Sequence, residues 1–346
     1  MTSVTSRLKR KAWGPGVPPA VRDYLRARFA AGSATLEVIP LAGDASTRRY
    51  FRLREGPTAT RMICLMPEPF SPGELSFTVV RDLLAGYGLP VPEVLDQDGA
   101  RGIAVLQDLG DLMLQEVLKT STAADVVALY REAIEQLVLL QHASARGLQK
   151  APCFQVAFDI EKLSWELHYF EKHFLEGLRG AELGVEDRST LAGAFHRLAV
   201  EIASWPRVLC HRDFHSRNLM RHQETLFWID FQDARMGPAT YDLASLLRDS
   251  YVDLGHDFVS ERVEEFRQRA LPGESREVFE RRFDLTCVQR NLKALGTFGY
   301  MATVRKIPVY LQYIPRTLRH AARNLQRYPE LQGLRRVLAR HVEELA

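Results

Sequence analysis

The stretch HRDFHSRN, His211–Asn218, and the WIDF that follows it, Trp228–Phe231, decide the reading of this chain. Each lies on a short apolar, strand-like segment, RVLCHRD and TLFWIDF, and the two flank a polar loop as a small hairpin-like insert would. One loop therefore supplies Asp213 and, five residues on, Asn218, and a strand end delivers Asp230. Phosphoryl transfer asks for this set: an acceptor hydroxyl held in line, a carboxylate beside it, and metal ions on the phosphates. Asp213 is the candidate for orienting the hydroxyl or taking its proton. Asn218 and Asp230 offer the hard oxygen ligands that suit Mg²⁺. Solvated loop residues would explain any one of the three. Three at this spacing, framed by two apolar strands, point to chemistry.

Upstream, residues 18–31 carry the helical spacing Val21, Leu25, Phe29 behind Pro18 and Pro19. Strand-like TLEVIPL, RRYFRLR and ATRMICLM follow, then a helix over 73–87 and strands near VPEVLD and RGIAVLQDLG. After Gly110 the pattern turns helical: 123–145 with Val126, Leu129, Ala133, Leu137 and Leu140 on one face, a mixed segment 158–179, a helix over 188–203, and helices beyond 240 with breaks near Pro272, Pro308 and Pro315. The expected class is α+β. Residues 1–108 form a small strand-rich, nucleotide-binding lobe with an N-terminal helix, and 109–346 a larger, mostly helical lobe for catalysis and substrate. The two lobes would share a cleft.

Composition narrows the partners. The chain has 346 residues, 26% of them charged, and a net charge of +3, too little to argue for nucleic acid or a membrane surface. No apolar run approaches the roughly 18 residues of a membrane-spanning helix. Cys64, Cys153, Cys210 and Cys287 are far apart, as buried thiols in a reducing cytoplasm would be. A cytoplasmic monomer is expected.

HRDFHSRN…IDF with the later GPATYDLASLL resembles the aminoglycoside phosphotransferase and choline kinase family, whose fold is protein-kinase-like. Asp242 of YDLA matches an Asp that follows the metal strand in that family. LAGDASTRRYFRL (41–53), VPEVLDQDGARGIAVLQDLGD (91–111) and QRNLKALGTFGY (289–300) resemble the bacterial N-acetylmuramate/N-acetylglucosamine anomeric kinases. The likeness runs in order from about residue 36 to 325. It implies ATP and Mg²⁺ as cofactors, an amino sugar as acceptor, a sugar 1-phosphate as product, and a role in cell-wall recycling. Glucosamine, choline, homoserine or an aminoglycoside remain alternative acceptors, and a nucleotide-binding pseudokinase sensor an alternative class. GPATYDLA follows the IDF strand almost at once, leaving no long activation segment to dock a peptide.

For the nucleotide, GDAST between two strands suggests a phosphate-covering turn, with Gly43 freeing backbone N–H groups and Ser46 and Thr47 adding hydroxyls. The third strand lacks the Lys of protein kinases: Met66 falls near its place, and no Lys occurs between Lys11 and Lys119. Arg49 or Arg48 is the expected substitute, since Arg grips phosphate bidentately. Glu74 at the next helix start would pair with it or serve the helix dipole. The resemblance makes Gln107, Asp108 and Leu109 the hinge that meets the adenine edge.

For the acceptor, His215, Asp233, Arg235, Arg290 and Asn291 are the polar candidates, and Tyr169 or Trp165 an aromatic wall. Arg290 and Lys293 of QRNLK read equally well as the solvated face of a helix.

Overall fold

The structure, a computed structural model, describes residues 16–29, 36–41, 48–71, 73–145 and 150–345. Chain contacts divide it into a smaller unit, 1–79 with 92–110, and a larger one, 80–91 with 111–346. The division thus falls after Gly110, and 80–91 count with the larger unit although they lie within the expected N-terminal lobe.

In the smaller unit, helix α1 (Pro19–Phe29) precedes strands β1 (Leu36–Pro40), β2 (Arg49–Glu55) and β3 (Ala59–Leu65). Helix α2 (Ser76–Gly86) follows, straddling the division, and then β4 (Val94–Asp98) and β5 (Ile103–Gln107). The five strands pair antiparallel in the order β1-β2-β3-β5-β4. Strand alternation splits the residues between two faces. On one, Phe51, Leu53, Ile63, Ile103 and Val105 pack against Val21, Tyr24 and Leu25 of α1. Full burial of each such side chain stabilises by roughly 1.5–3 kcal/mol. The other face carries Tyr50, Arg52, Met62 and Cys64. Arg52 is buried there in a bidentate pair with Asp108, Nε to Oδ2 at 2.6 Å and Nη2 to Oδ1 at 3.0 Å, and also donates to the Gly110 carbonyl.

The larger unit contains α3 (Leu114–Val117), α4 (Ala123–Ser144), α5 (Ile160–Phe170), α6 (Val185–Ser204), β6 (Arg207–Cys210), β7 (Leu219–His222), β8 (Thr225–Trp228), β9 (Arg235–Pro238), α7 (Thr240–Leu247), α8 (His256–Ala270), α9 (Arg276–Thr303), α10 (Ile314–Arg327) and α11 (Gln332–His341). Local chemistry starts the helices: Thr122 and Asp125 form a reciprocal capping box on α4, and Asp159 caps α5. A π-helical turn, Glu171–Glu176, prolongs α5. There α9 comes so close that a Cβ on Gly296 would meet the Phe170 Cα at 2.8 Å, and one on Gly299 the His173 carbonyl oxygen at 2.2 Å. The glycines of ALGTFGY are the condition of that approach. Around it Phe170, Phe174, Phe195, Leu292, Leu295 and Phe298 form the core.

One expectation is corrected. The segments RVLC and TLFW do not form one hairpin. β6 pairs with β9 and β7 with β8, giving two separate ladders. Among the described residues, no helix is long and apolar enough to cross a membrane, and all four cysteines are free and buried.

Candidate active site

The loop between β6 and β7 is fixed from behind. The Asp242 carboxylate, on α7, accepts the backbone N–H groups of His211 (2.6 Å) and Arg212 (2.9 Å), and Arg290 Nη1 on α9 donates to the Arg212 carbonyl at 2.6 Å. These bonds hold Arg212 at φ +87°, a conformation strained for a residue with a Cβ. His211 is buried and bonds Ile229 O through Nε2 (2.9 Å), while its Nδ1 accepts the Asp213 N–H (3.3 Å). That arrangement needs the neutral Nε2–H tautomer. Burial pushes the His211 pKa down accordingly, with Asp242 and Asp213 opposing.

Asp213 follows. Its Oδ1 receives Lys293 Nζ at 2.8 Å and lies 3.7 Å from Arg290 Nη2, and its Oδ2 lies 3.7 Å from Arg212 Nε. Burial alone would raise its pKa. The Lys293, Arg212 and Arg290 charges outweigh burial and hold the carboxyl well below the usual range. His215, edge-on to Tyr251 at 5.1 Å, has an unpartnered buried Nδ1. Burial pushes its pKa down to about 3, so the ring is neutral.

Asn218 Nδ2 donates to the Asp213 carbonyl at 2.9 Å, which leaves its amide oxygen for another partner. Asn218 lies one residue before β7, and its carbonyl accepts the N–H of Ile229 (3.0 Å). That register sets Asp230 beside it, with φ +62° and an exposed carboxylate that accepts from Gln232 Nε2 (2.9 Å). The structure thus brings Asp213, Asn218 and Asp230 to one place. One amide oxygen and one carboxylate, completed by phosphate and water oxygens, fit Mg²⁺, which seldom takes an all-protein cage. Among the described residues no three His, Cys, Asp or Glu side chains gather to hold a metal, so the fit rests on this hard-oxygen pair.

Residues 37–279 match the model of the phosphotransferase enzyme family. The chain belongs to that family. Its relatives include the N-acetylmuramate/N-acetylglucosamine kinase of Pseudomonas aeruginosa, 34% identical over 311 residues (88% of each chain), and that of Neisseria meningitidis serogroup B, 34% identical over 316 residues (88% of this chain, 91% of the relative). A choline/ethanolamine kinase family protein from Mesorhizobium loti superposes with a TM-score of 0.57 at 19% identity, covering 94% of this chain and 98% of that one. The aminoglycoside phosphotransferase APH(2″)-IIa in complex with gentamicin gives 0.58 at 16% identity, covering 88% and 97%. The α+β, protein-kinase-like fold is therefore shared, with a small antiparallel sheet unit and a larger helical one.

Several expected site residues take other places in this phosphotransferase. Arg49 shares a strand face with Phe51 and Leu53, the face covered by α1, and bonds the Gly16 carbonyl at 3.0 Å. It does not stand where the missing strand Lys would act. Arg48 interacts with Tyr50, on the opposite face. Glu74 is exposed, in the turn before α2. Asp108 spends its carboxylate on Arg52, and Gln107 and Leu109 flank it, with the Gln107 Oε1 accepting the Glu93 N–H (3.3 Å) and Leu109 buried. Gly43, Ser46 and Thr47 lie outside the described residues. Arg290 and Asn291 are buried braces rather than open pocket walls: Arg290 also bonds Ser245 Oγ (2.7 Å), and Asn291 Nδ2 donates to the Arg248 carbonyl (3.3 Å). Asp233 pairs with Arg212 (3.2 Å), and Arg235 Nε donates to the Asp233 carbonyl (3.3 Å). Tyr169 stands in an aromatic row with Trp165, His173 and Tyr300.

Sequence reasoning missed Lys162, and it offered Lys293 for the acceptor rather than as the partner of Asp213. Lys293 was readable as a helix-surface charge, yet it lies three residues after Arg290 and so on the same side of α9. Lys162 on α5 stacks over Trp165 at 4.0 Å. Burial pushes the Lys162 pKa down, Glu166 opposes, and the Arg212, Arg235 and Lys293 charges depress it further. Arg212, Arg235 and Lys293 therefore lie within electrostatic reach of Lys162, and two of them, Arg212 and Lys293, also flank Asp213.

Proposed function

We propose that this phosphotransferase moves the γ-phosphoryl group of ATP onto the anomeric hydroxyl of N-acetylmuramate or N-acetylglucosamine, giving the sugar 1-phosphate for cell-wall recycling. The observation that carries the reading is an ionised Asp213 carboxylate gripped by Lys293 and flanked by Arg212 and Arg290.

A carboxylate held so far below its usual range is a weak base. Its task is to accept the hydrogen bond of the sugar hydroxyl and keep that oxygen in line. The oxygen then bonds to the γ-phosphorus, the bond to the β–γ bridging oxygen breaks, and ADP leaves with that electron pair. The hydroxyl proton passes to Asp213 late in the transfer and on to solvent. Lys293 adds positive charge beside the oxygens of the moving group. Asn218 and Asp230 would hold Mg²⁺, which when bound draws charge from the phosphate oxygens. Neutral His215 and the edge of Tyr251 offer a wall for a sugar ring.

The cation cluster supports the choice of acceptor. A sugar acid bearing a lactyl carboxylate is attracted to it, whereas a polycationic aminoglycoside is repelled. The names of the 34%-identical relatives support the same choice. Four free buried thiols suit a reducing cytoplasm.

The test is ³¹P NMR on reactions with MgATP and each sugar. Phosphorus coupled to the anomeric proton is expected. A 6-phosphate, or turnover only with choline or an aminoglycoside, would rule the reading out.

A further inference from the structure

The larger unit holds a cavity of about 380 Å³ among α8, α9 and α10, reached by the end of α7. Arg248, Arg276, Arg323 and Arg327 line it, against only Glu280 and Asp284, so two positive charges are in excess. The two carboxylates are taken. Arg327 bonds Asp284 (2.7 Å) and Glu280 (3.1 Å), and Arg276 bonds Glu280 (2.7 Å). Arg248 is 6% exposed, and among the described residues its guanidinium has neither a hydrogen bond nor an ion pair, its Nε being buried and unpartnered. Arg323, one turn before Arg327 on α10, is exposed and likewise without an ion pair. A buried guanidinium with nothing to bond is unfavourable unless an anion joins it.

We infer that this cavity is a second ligand site, binding a small organic phosphate monoester with its phosphate between Arg248 and Arg323. Guanidinium groups match phosphate oxygens two by two. The volume far exceeds that of a phosphate ion and lies in the range of small-molecule sites, so the ligand carries an organic body as well. The place is also distinct from the catalytic cluster. Arg248 stands between Asp242, which holds the His211 and Arg212 N–H groups, and Asp249, whose carboxylate accepts the Ser216 (2.9 Å) and Tyr251 (2.8 Å) N–H groups. A ligand there bears on the segment that supports the catalytic loop from behind.

Isothermal titration of the full chain tests the inference, with the catalytic site saturated by a non-hydrolysable ATP analogue, Mg²⁺ and N-acetylglucosamine. The probes are glucose 6-phosphate, inorganic phosphate and glucose. Glucose 6-phosphate is expected to bind and glucose not. Arg323→Ala, at an exposed position, and Arg248→Met should each weaken binding at least tenfold, and Lys293→Ala should leave it unchanged. Equal binding by wild type and Arg323→Ala overturns the inference, as does loss in Lys293→Ala instead. Binding of inorganic phosphate with no binding of glucose 6-phosphate overturns the organic part and assigns the site to the free ion.

Discussion

The Lys293 ammonium lies 2.8 Å from Oδ1 of Asp213, joining the long helix α9 to the loop that carries the proposed catalytic carboxylate. The two residues are 80 positions apart in sequence, and the pair sets the protonation state on which the proposed chemistry depends.

Asp213→Asn should lower kcat by roughly 10²–10⁴-fold, the range for loss of a catalytic acid–base group, with circular dichroism unchanged. The same carboxyl links stability to pH. Its folded pKa is depressed, so its contribution is present above the ordinary carboxylate pKa near 4 and is lost as pH falls through the lower folded value. The fall of Tm below about pH 4 should therefore be shallower in Asp213→Asn than in wild type. Parallel curves would remove Asp213 from that role.

Lys293→Met removes the cation that most strongly holds Asp213 ionised. The acid limb of kcat/KM should move to higher pH, because the carboxyl loses the charge that most depresses its pKa. The kcat should fall roughly 100-fold, the scale of losing one preorganised charge donor. A lysine that only decorated the helix surface would shift neither.

Asn218→Ala and Asp230→Asn should each raise the Mg²⁺ concentration for half-maximal rate by at least roughly tenfold, the lower bound seen when metal-site contacts are lost. Rates measured across a Mg²⁺ titration at saturating ATP check this. An unchanged midpoint in both variants would sink the metal assignment.

Gly299→Ala forces a Cβ to 2.2 Å from the His173 carbonyl oxygen, backbone that cannot swing aside. A cost of about 1–3 kcal/mol or more is expected, seen as a lowered Tm. Gly333→Ala in α11 meets open space and should gain about 0.4–1 kcal/mol. Differential scanning calorimetry on the two variants gives opposite signs if the close approach of α9 to the π-helical turn is real.

Asp108→Ala removes the carboxylate that buried Arg52 grips bidentately and should destabilise by about 3–5 kcal/mol. Arg52→Met with Asp108→Leu removes both charges and should recover most of that loss. If Asp108 instead bound nucleotide through its carboxylate, the double variant would regain stability but not the KM for ATP.

Much of this was legible in the chain. Helical spacing gave α1 and α4 their places, and the His211–Asn218 and Trp228–Phe231 stretches yielded the trio proposed for catalysis and metal binding, because residue type and short spacing are local properties. Even the misplacement of Arg49 left a trace: alternation puts it on the same strand face as apolar Phe51 and Leu53, hence toward a helix.

What the sequence by itself determined was the order and kind of elements, the chemical identity of the loop, and the family likeness, all encoded within a few residues of one another. Only the tertiary structure decided that β6 pairs with β9, that Arg290 and Asn291 are braces, that Asp108 belongs to Arg52, and that Lys293 belongs to Asp213. These facts depend on register and packing between segments distant along the chain. There a charge on a helix looks the same whether it faces water or a carboxylate, until the partner is folded against it.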